Sequence, residues 1–199
     1  MQINFSYYKP QALITSIIVL GSVSSWGLSK LCDYNFLQGI GPTTIVMGFL
    51  YVYDKYLWKL PVFKMINTVP NLNGVYEGEI EYYYNDENNK KKCRLEIKQT
   101  CSSIKVKSSF NKEGENETHS ESTVALIKTD EVGDQHLYIY YRNPGSQKNG
   151  DSLNSHDGMN VLEILKKKKN ITIKGYYFTN RDPQTKGRME VIKINKGDK

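Results

Sequence analysis

Hydrophobic and polar residues are distributed in two different ways along this chain. From Pro10 to Ser29, and again from Tyr34 to Tyr53, there is no Asp, Glu, Lys or Arg. From Asn71 onward apolar residues instead alternate with charged ones. About 20 apolar residues in helix cross a bilayer core of roughly 30 Å. The pattern therefore predicts two transmembrane helices, at about 10–29 and 34–53, within a segment 1–70 that ends in a linker. Lys9 before the first span raises the alternative of a cleaved signal peptide. Against it, the stretch runs past Val23 with no Ala-x-Ala-like site, and a second span follows at once.

The connector from Lys30 to Asn35 allows only a tight helical hairpin. Lys9 precedes the first span, and Lys55, Lys59 and Lys64 follow the second, whereas the connector carries Lys30 alone. The positive-inside bias thus puts both termini in the cytoplasm. Tyr51, Tyr53, Tyr56 and Trp58 are expected to form an interfacial aromatic belt, with Trp26 and Tyr34 at the opposite interface. Gly21 and Ser25 are four apart, and Gly41, Thr44 and Gly48 share a helical face. Small residues at this spacing allow close helix packing, either within the hairpin or between subunits. Neither span holds an ionisable residue, which argues against a transporter or proton path.

Segment 71–199 reads as all-β. Leu72, Gly74, Tyr76, Gly78, Ile80 and Tyr82 alternate with Val75, Glu77, Glu79 and Glu81, a strand with one buried and one wet face. Further strands are expected through Cys93–Ile97 and Ile104–Phe110, then at about His119–Lys128, His136–Asn143, Met159–Lys166, Ile171–Arg181 and Gly187–Ile194. Eight strands joined mostly by polar turns, with no crossover helix, predict a soluble up-and-down antiparallel barrel, since closure removes edge strands. A two-sheet sandwich is the alternative. The outward Glu77, Glu79, Glu81, Arg94, Glu96 and Lys98 would face lipid in a membrane barrel, so the helices are the anchor.

The net charge of +6 owes much to Lys90–Lys92 and Lys166–Lys169, which are either solvated turns or anion-attracting patches. Cys32, Cys93 and Cys101 form no zinc pattern or disulfide framework, as suits a reducing compartment. His119, His136 and His156 form no metal or catalytic motif, and neither a Walker loop nor a Gly-x-Ser-x-Gly occurs. No catalytic residue, metal site or cofactor is expected.

Strand parity turns several polar side chains inward: Tyr76 on the first strand, Tyr141 and Asn143 on the fifth, Tyr177, Thr179 and Arg181 on the seventh. An inward Arg at a strand end is satisfied either by water or by a ligand. Rings that stack on bases, together with charge-assisted bonds to phosphate, would suit a nucleotide.

Two short spans followed at once by Leu72-Asn73-Gly74-Val75-Tyr76-Glu77-Gly78 resemble the SMODS-associated two-transmembrane β-strand-rich effectors of bacterial CBASS antiphage systems. Tyr138-Ile139-Tyr140-Tyr141-Arg142-Asn143-Pro144, Gly175-Tyr176-Tyr177-Phe178-Thr179-Asn180-Arg181 and Thr185-Lys186-Gly187-Arg188-Met189-Glu190-Val191 extend the resemblance over essentially the whole chain. It implies a barrel that binds a cyclic dinucleotide or similar oligonucleotide made by a partner nucleotidyltransferase after infection. It further implies self-association and disruption of the inner membrane by the assembled helices, and no DNA or RNA partner. A membrane-tethered lipocalin-like barrel for a lipid or other small molecule, and an envelope scaffold with no ligand, are the competing functions.

Overall fold

The computed structural model describes residues 4–30, 41–84, 87–111, 118–145, 155–167, 170–182 and 184–194. The chain forms two compact units: Met1–Asn71 with Thr100–Ser103, and Leu72–Gln99 with Ile104–Lys199.

In the first unit α1 spans Pro10–Lys30 and α2 spans Pro42–Lys55, and the two pack against each other. Both open on a proline, whose missing N–H costs nothing at the first helical position. At 21 residues α1 is long and apolar enough to cross a membrane, and none of its residues is buried. The 14 residues of α2 rise only about 21 Å, less than a bilayer core. The remainder of the expected second span, residues 34–40, lies outside the described residues, as do Cys32, Tyr34 and most of the connector.

The expected aromatic belt needs correction. Tyr51 and Tyr56 are exposed, but Tyr53 and Trp58 are each only 1% exposed. They are drawn into a small core with Tyr7, Ile66 and Val69, built as the chain leaves α2 through two short 3-10 turns, Leu57–Lys59 and Pro61–Met65. The Asn67 amide donates to the Tyr53 hydroxyl at 2.9 Å, and the ring of Phe63 meets that of Tyr53 edge-on at 6.0 Å. Burial of the rings, with a hydrogen bond for the Tyr53 hydroxyl, outweighs what an interfacial position would offer them.

Asp54, in the last turn of α2, gathers three segments of this unit. Its carboxylate accepts the Tyr8 hydroxyl at 3.1 Å and the Ser102 N–H at 2.8 Å, and its carbonyl accepts the Cys101 N–H at 2.9 Å. Hydrogen bonds to a charged acceptor are worth about 1.5–3 kcal/mol. Replacing Asp54 by alanine is therefore expected to speed exchange of the Ser102 amide roughly 10- to 100-fold, as read by hydrogen-exchange mass spectrometry on the detergent-solubilised chain.

The second unit is a closed antiparallel barrel in which each strand pairs with the next and β8 returns to β1. Its strands are β1 (Gly74–Tyr84), β2 (Glu87–Gln99), β3 (Ile104–Asn111), β4 (Thr118–Thr129), β5 (Gln135–Asn143), β6 (His156–Lys167), β7 (Asn170–Thr179) and β8 (Lys186–Lys193). The eight-stranded meander is as expected, and the sandwich is excluded. The closing seam pairs Tyr76 with Lys193, Gly78 with Val191 and Ile80 with Met189. One irregularity interrupts the ladders of β4, a register shift between Ser122 and Val124. Leu72, Tyr76, Leu95, Ile97, Val106, Leu137, Leu162, Ile173 and Val191 fill the interior. An eight-stranded barrel of this kind has room for side chains or for one small ligand.

Candidate ligand-binding site

Side-chain alternation along three neighbouring strands converges on one end of the barrel interior. Tyr141 on β5 lies opposite Gly158 on β6, which lies opposite Thr179 on β7. One inward position away, Asn160 on β6 lies between Ile139 and Tyr177. Gly158 is required at its place: a β-carbon there would overlap the Tyr141 hydroxyl and lie 2.9 Å from the Phe178 carbonyl oxygen. The absence of a side chain at Gly158 lets the Tyr141 ring lie across β6.

Tyr141, Asn160, Tyr177 and Thr179 line a cavity of about 120 Å³ together with Arg181 and Thr185, and Ile80, Tyr82, Lys91, Phe110, Ser120 and Met189 line it from the other strands. Of the residues singled out from the sequence, Tyr141, Asn143, Tyr177, Thr179 and Arg181 are brought together here. Tyr76 is not. It is fully buried, donates its hydroxyl to the Leu72 carbonyl at 3.0 Å and has the Lys193 ammonium 5.8 Å from its ring centroid. The cavity begins at Ile80, four residues and about 13 Å further along β1. Tyr76 is a core residue of the opposite part of the interior.

Six of the polar residues that line the cavity fall into two sets. Asn143 is committed to the protein: its amide donates to Ser120 Oγ at 3.1 Å and its oxygen accepts the Gly145 N–H at 2.9 Å. Thr179 is committed too, as its hydroxyl accepts the Thr185 N–H at 3.2 Å and donates to the Thr185 carbonyl at 3.3 Å, pinning the connection to β8. The other set has no protein partner among the described residues. It comprises the Thr185 hydroxyl, the Asn160 carboxamide and the hydroxyls of Tyr141 and Tyr177. Burial pushes the Tyr141 hydroxyl up to about 12 and raises Tyr177 as well, with the nearby Arg181 guanidinium opposing both. At neutral pH both therefore remain O–H donors and place no negative charge beside a phosphate. Arg181 is half-buried at the rim.

Asn160 and Thr185 escaped the sequence reading. The signal for Asn160 was present: Gly158, Asn160, Leu162 and Ile164 share one parity, so an amide stands on an apolar face. Thr185 precedes β8, where strand parity gives no direction.

A larger concavity, about 700 Å³, lies on the outer face of the barrel. Glu79, Glu81, Glu163 and Glu190 line it against Lys174 and Arg188, a balance of charge that repels a phosphodiester. Among the described residues no group of His, Cys, Asp and Glu is arranged to hold a metal ion.

The helix residues have a different setting. Where a β-carbon would stand at Gly21 or Gly48 there is nothing within 4 Å. Ser25 and Thr44 are exposed, and Gly41 is the N-cap of α2. These small residues do not close the contact between α1 and α2 within one chain.

Comparison with known proteins follows the barrel. "CD-NTase-associated protein 15" of Staphylococcus schleiferi is 24% identical over 136 residues, which cover 66% of this chain and 66% of that protein. The chain thus matches just under two thirds of its relative's length. Residues 67–193 match the family model described as "Cap15, cyclic dinucleotide receptor domain", a span that takes in every strand of the barrel and the whole cavity. By that match over more than half its length, the chain belongs to the Cap15 cyclic dinucleotide receptor domain family.

Proposed function

We propose that this protein is a CBASS effector whose barrel binds a cyclic dinucleotide in the cavity at one end of the barrel interior. The observation that carries this reading is the cavity itself: the rings of Tyr82, Tyr141 and Tyr177, four polar groups without a partner among the described residues, and the cationic side chains of Lys91 and Arg181, in a domain of a cyclic dinucleotide receptor family. Arg181 takes a phosphate of the ligand by charge-assisted hydrogen bonds, and Tyr141 and Tyr177 provide faces for a base. The source of the ligand is a partner nucleotidyltransferase that responds to phage. A lipocalin-like role is less well supported, because a lipid tail needs a longer and more apolar channel than about 120 Å³ lined in part by Asn, Thr and Arg.

The N-terminal unit anchors the chain in the bacterial inner membrane, with the barrel in the cytoplasm. Support comes from the apolar length of α1 and its complete lack of burial. Binding promotes self-association, and the gathered helices disrupt the membrane and kill the infected cell. A ligand drives assembly only by binding the assembled state more tightly than the monomer. Outward-facing Tyr140 and Phe178, aligned across β5–β7 through Met159, are exposed and offer an apolar surface for such contacts.

Titration of the full-length protein in detergent with a panel of cyclic dinucleotides tests the sensor role. Saturable binding of one member supports it, and no binding by folded protein overturns it. Open space around Gly48 makes Gly48→Leu a test of the helices that spares the fold. That variant is expected to bind ligand as the parent does, yet to lower killing at least tenfold in a plating assay. Undiminished killing would remove this helix face from the assembly.

A further inference from the structure

The run Lys90-Lys91-Lys92 does not act as one patch. Lys90 bonds to Glu81 at 2.6 Å on the outer face, and Lys92 is exposed opposite Glu79. Lys91 shares the parity of Cys93, Leu95 and Ile97, all buried, and so turns into the barrel. There it is half-buried and lines the cavity. Its ammonium lies 5.5 Å from the centroid of the Tyr82 ring, which lines the cavity too. An aromatic face attracts a cation through its quadrupole, so the ring holds this charge at the cavity wall.

Cations therefore stand on two sides of one cavity. In the closed ring of strands β2 is as far from β6 in one direction as in the other, so the two are opposite walls. Arg181 belongs to the β6 side. Gly158 pairs with Thr179, the Asn180 N–H donates to the Asp157 carbonyl at 3.0 Å, and Arg181 follows at the level of His156, where β6 begins. Among the described residues no Asp or Glu lines this cavity, whereas four glutamates line the concavity on the outer face. Two like charges facing one space without a counter-charge favour a ligand that brings two negative charges.

We propose that Lys91 is a ligand-binding residue, holding the second phosphodiester of the cyclic dinucleotide on the wall opposite Arg181; this rests on the cyclic dinucleotide reading above. A cyclic dinucleotide carries two phosphodiesters on opposite sides of its sugar–phosphate ring, each with one negative charge. Arg181 meets one with a planar fork, and Lys91 meets the other as a compact point charge. The cavity thus recognises a pair of phosphates on one ring, whichever bases accompany them. A linear dinucleotide with a single phosphodiester leaves one cation unused.

The test is calorimetric titration of the full-length protein in detergent with the cyclic dinucleotide panel. The linear, single-phosphodiester form of the tightest member is measured by competition. Lys91→Met keeps the length of the side chain and removes its charge. It is expected to weaken the tightest cyclic dinucleotide roughly 10- to 100-fold, and the linear form by less than about threefold. Lys91→Arg, which keeps the charge, should recover most of the loss. The unliganded melting temperature of Lys91→Met should be unchanged or raised, since one of two like charges leaves the cavity. A purely structural Lys91 would give the opposite thermal result. Parent-like affinity for the cyclic form in Lys91→Met, or an equal loss with the linear form, overturns the proposal while leaving the receptor role standing. No binding of any cyclic dinucleotide by the folded parent overturns both.

Discussion

Gly78→Ala is expected to loosen the barrel at its closing seam, costing about 2–4 kcal/mol and lowering the melting temperature by roughly 10 °C. Gly78 pairs with Cys93 on one side and with Val191 of β8 on the other. A β-carbon at this position would overlap the Glu190 carbonyl oxygen and lie 2.8 Å from Val191 Cα. Both obstacles are backbone, so no side-chain rotation relieves them and the strands must part. Separated strands leave ladder N–H and C=O groups to be satisfied by water, and the buried Ile80 and Met189 beside them lose contact. Glu79→Ala, at the next and outward-facing position, is the matched control and should change stability by less than about 0.5 kcal/mol. Differential scanning calorimetry of the two variants reads the contrast. Equal melting temperatures would show that the seam bends further than its geometry implies.

Arg181→Ala should act on binding and spare the fold. The guanidinium sits half-buried at the cavity rim, within electrostatic reach of the Tyr141 and Tyr177 hydroxyls. In the proposed sensor role it is the cation that meets a phosphodiester of the ligand. Loss of a charge-assisted hydrogen bond of about 2 kcal/mol weakens binding roughly 30-fold. The melting temperature without ligand should move by no more than a few degrees, because the side chain is partly solvated. Arg181→Lys keeps the charge but not the planar fork, and is expected to recover only part of the affinity. Titration of the three proteins with the tightest cyclic dinucleotide of the panel checks this. Parent-like affinity in Arg181→Ala would move the phosphate contact elsewhere.

Strand parity was the most legible feature of the chain. Glu77, Glu79 and Glu81 facing Tyr76, Gly78 and Ile80 give both the strand and its inward side, because a soluble barrel tolerates charge on one face only. The same alternation turns Tyr141, Asn143, Tyr177 and Thr179 inward, as the structure does. Parity fixes the face but says nothing of height along the interior. Parity alone therefore groups Tyr76 with the others, although its pairing with Lys193 sets it well away from the cavity. Height follows from register between strands far apart in sequence, which no local pattern encodes. The cluster around Asp54 was hidden for a related reason. Tyr8, Asp54 and Ser102 are separated by more than forty residues at each step, and a lone Asp after an apolar span carries no sign of what it will hold. Tyr53 and Trp58 were misplaced because an aromatic cluster near a span end reads the same whether its rings face lipid or a small core.

The seam also sets a schedule for synthesis. Lys193, which pairs with Tyr76, lies 117 positions after it, and β1 has no other partner on that side among the described residues. At translation rates of 5–20 residues per second, β1 waits about 6–23 seconds for the strand that completes the ring. The N-terminal helices have emerged before then, with no closed cavity yet in existence. A nascent chain consequently passes through an interval in which its helices are present and its closed barrel is not.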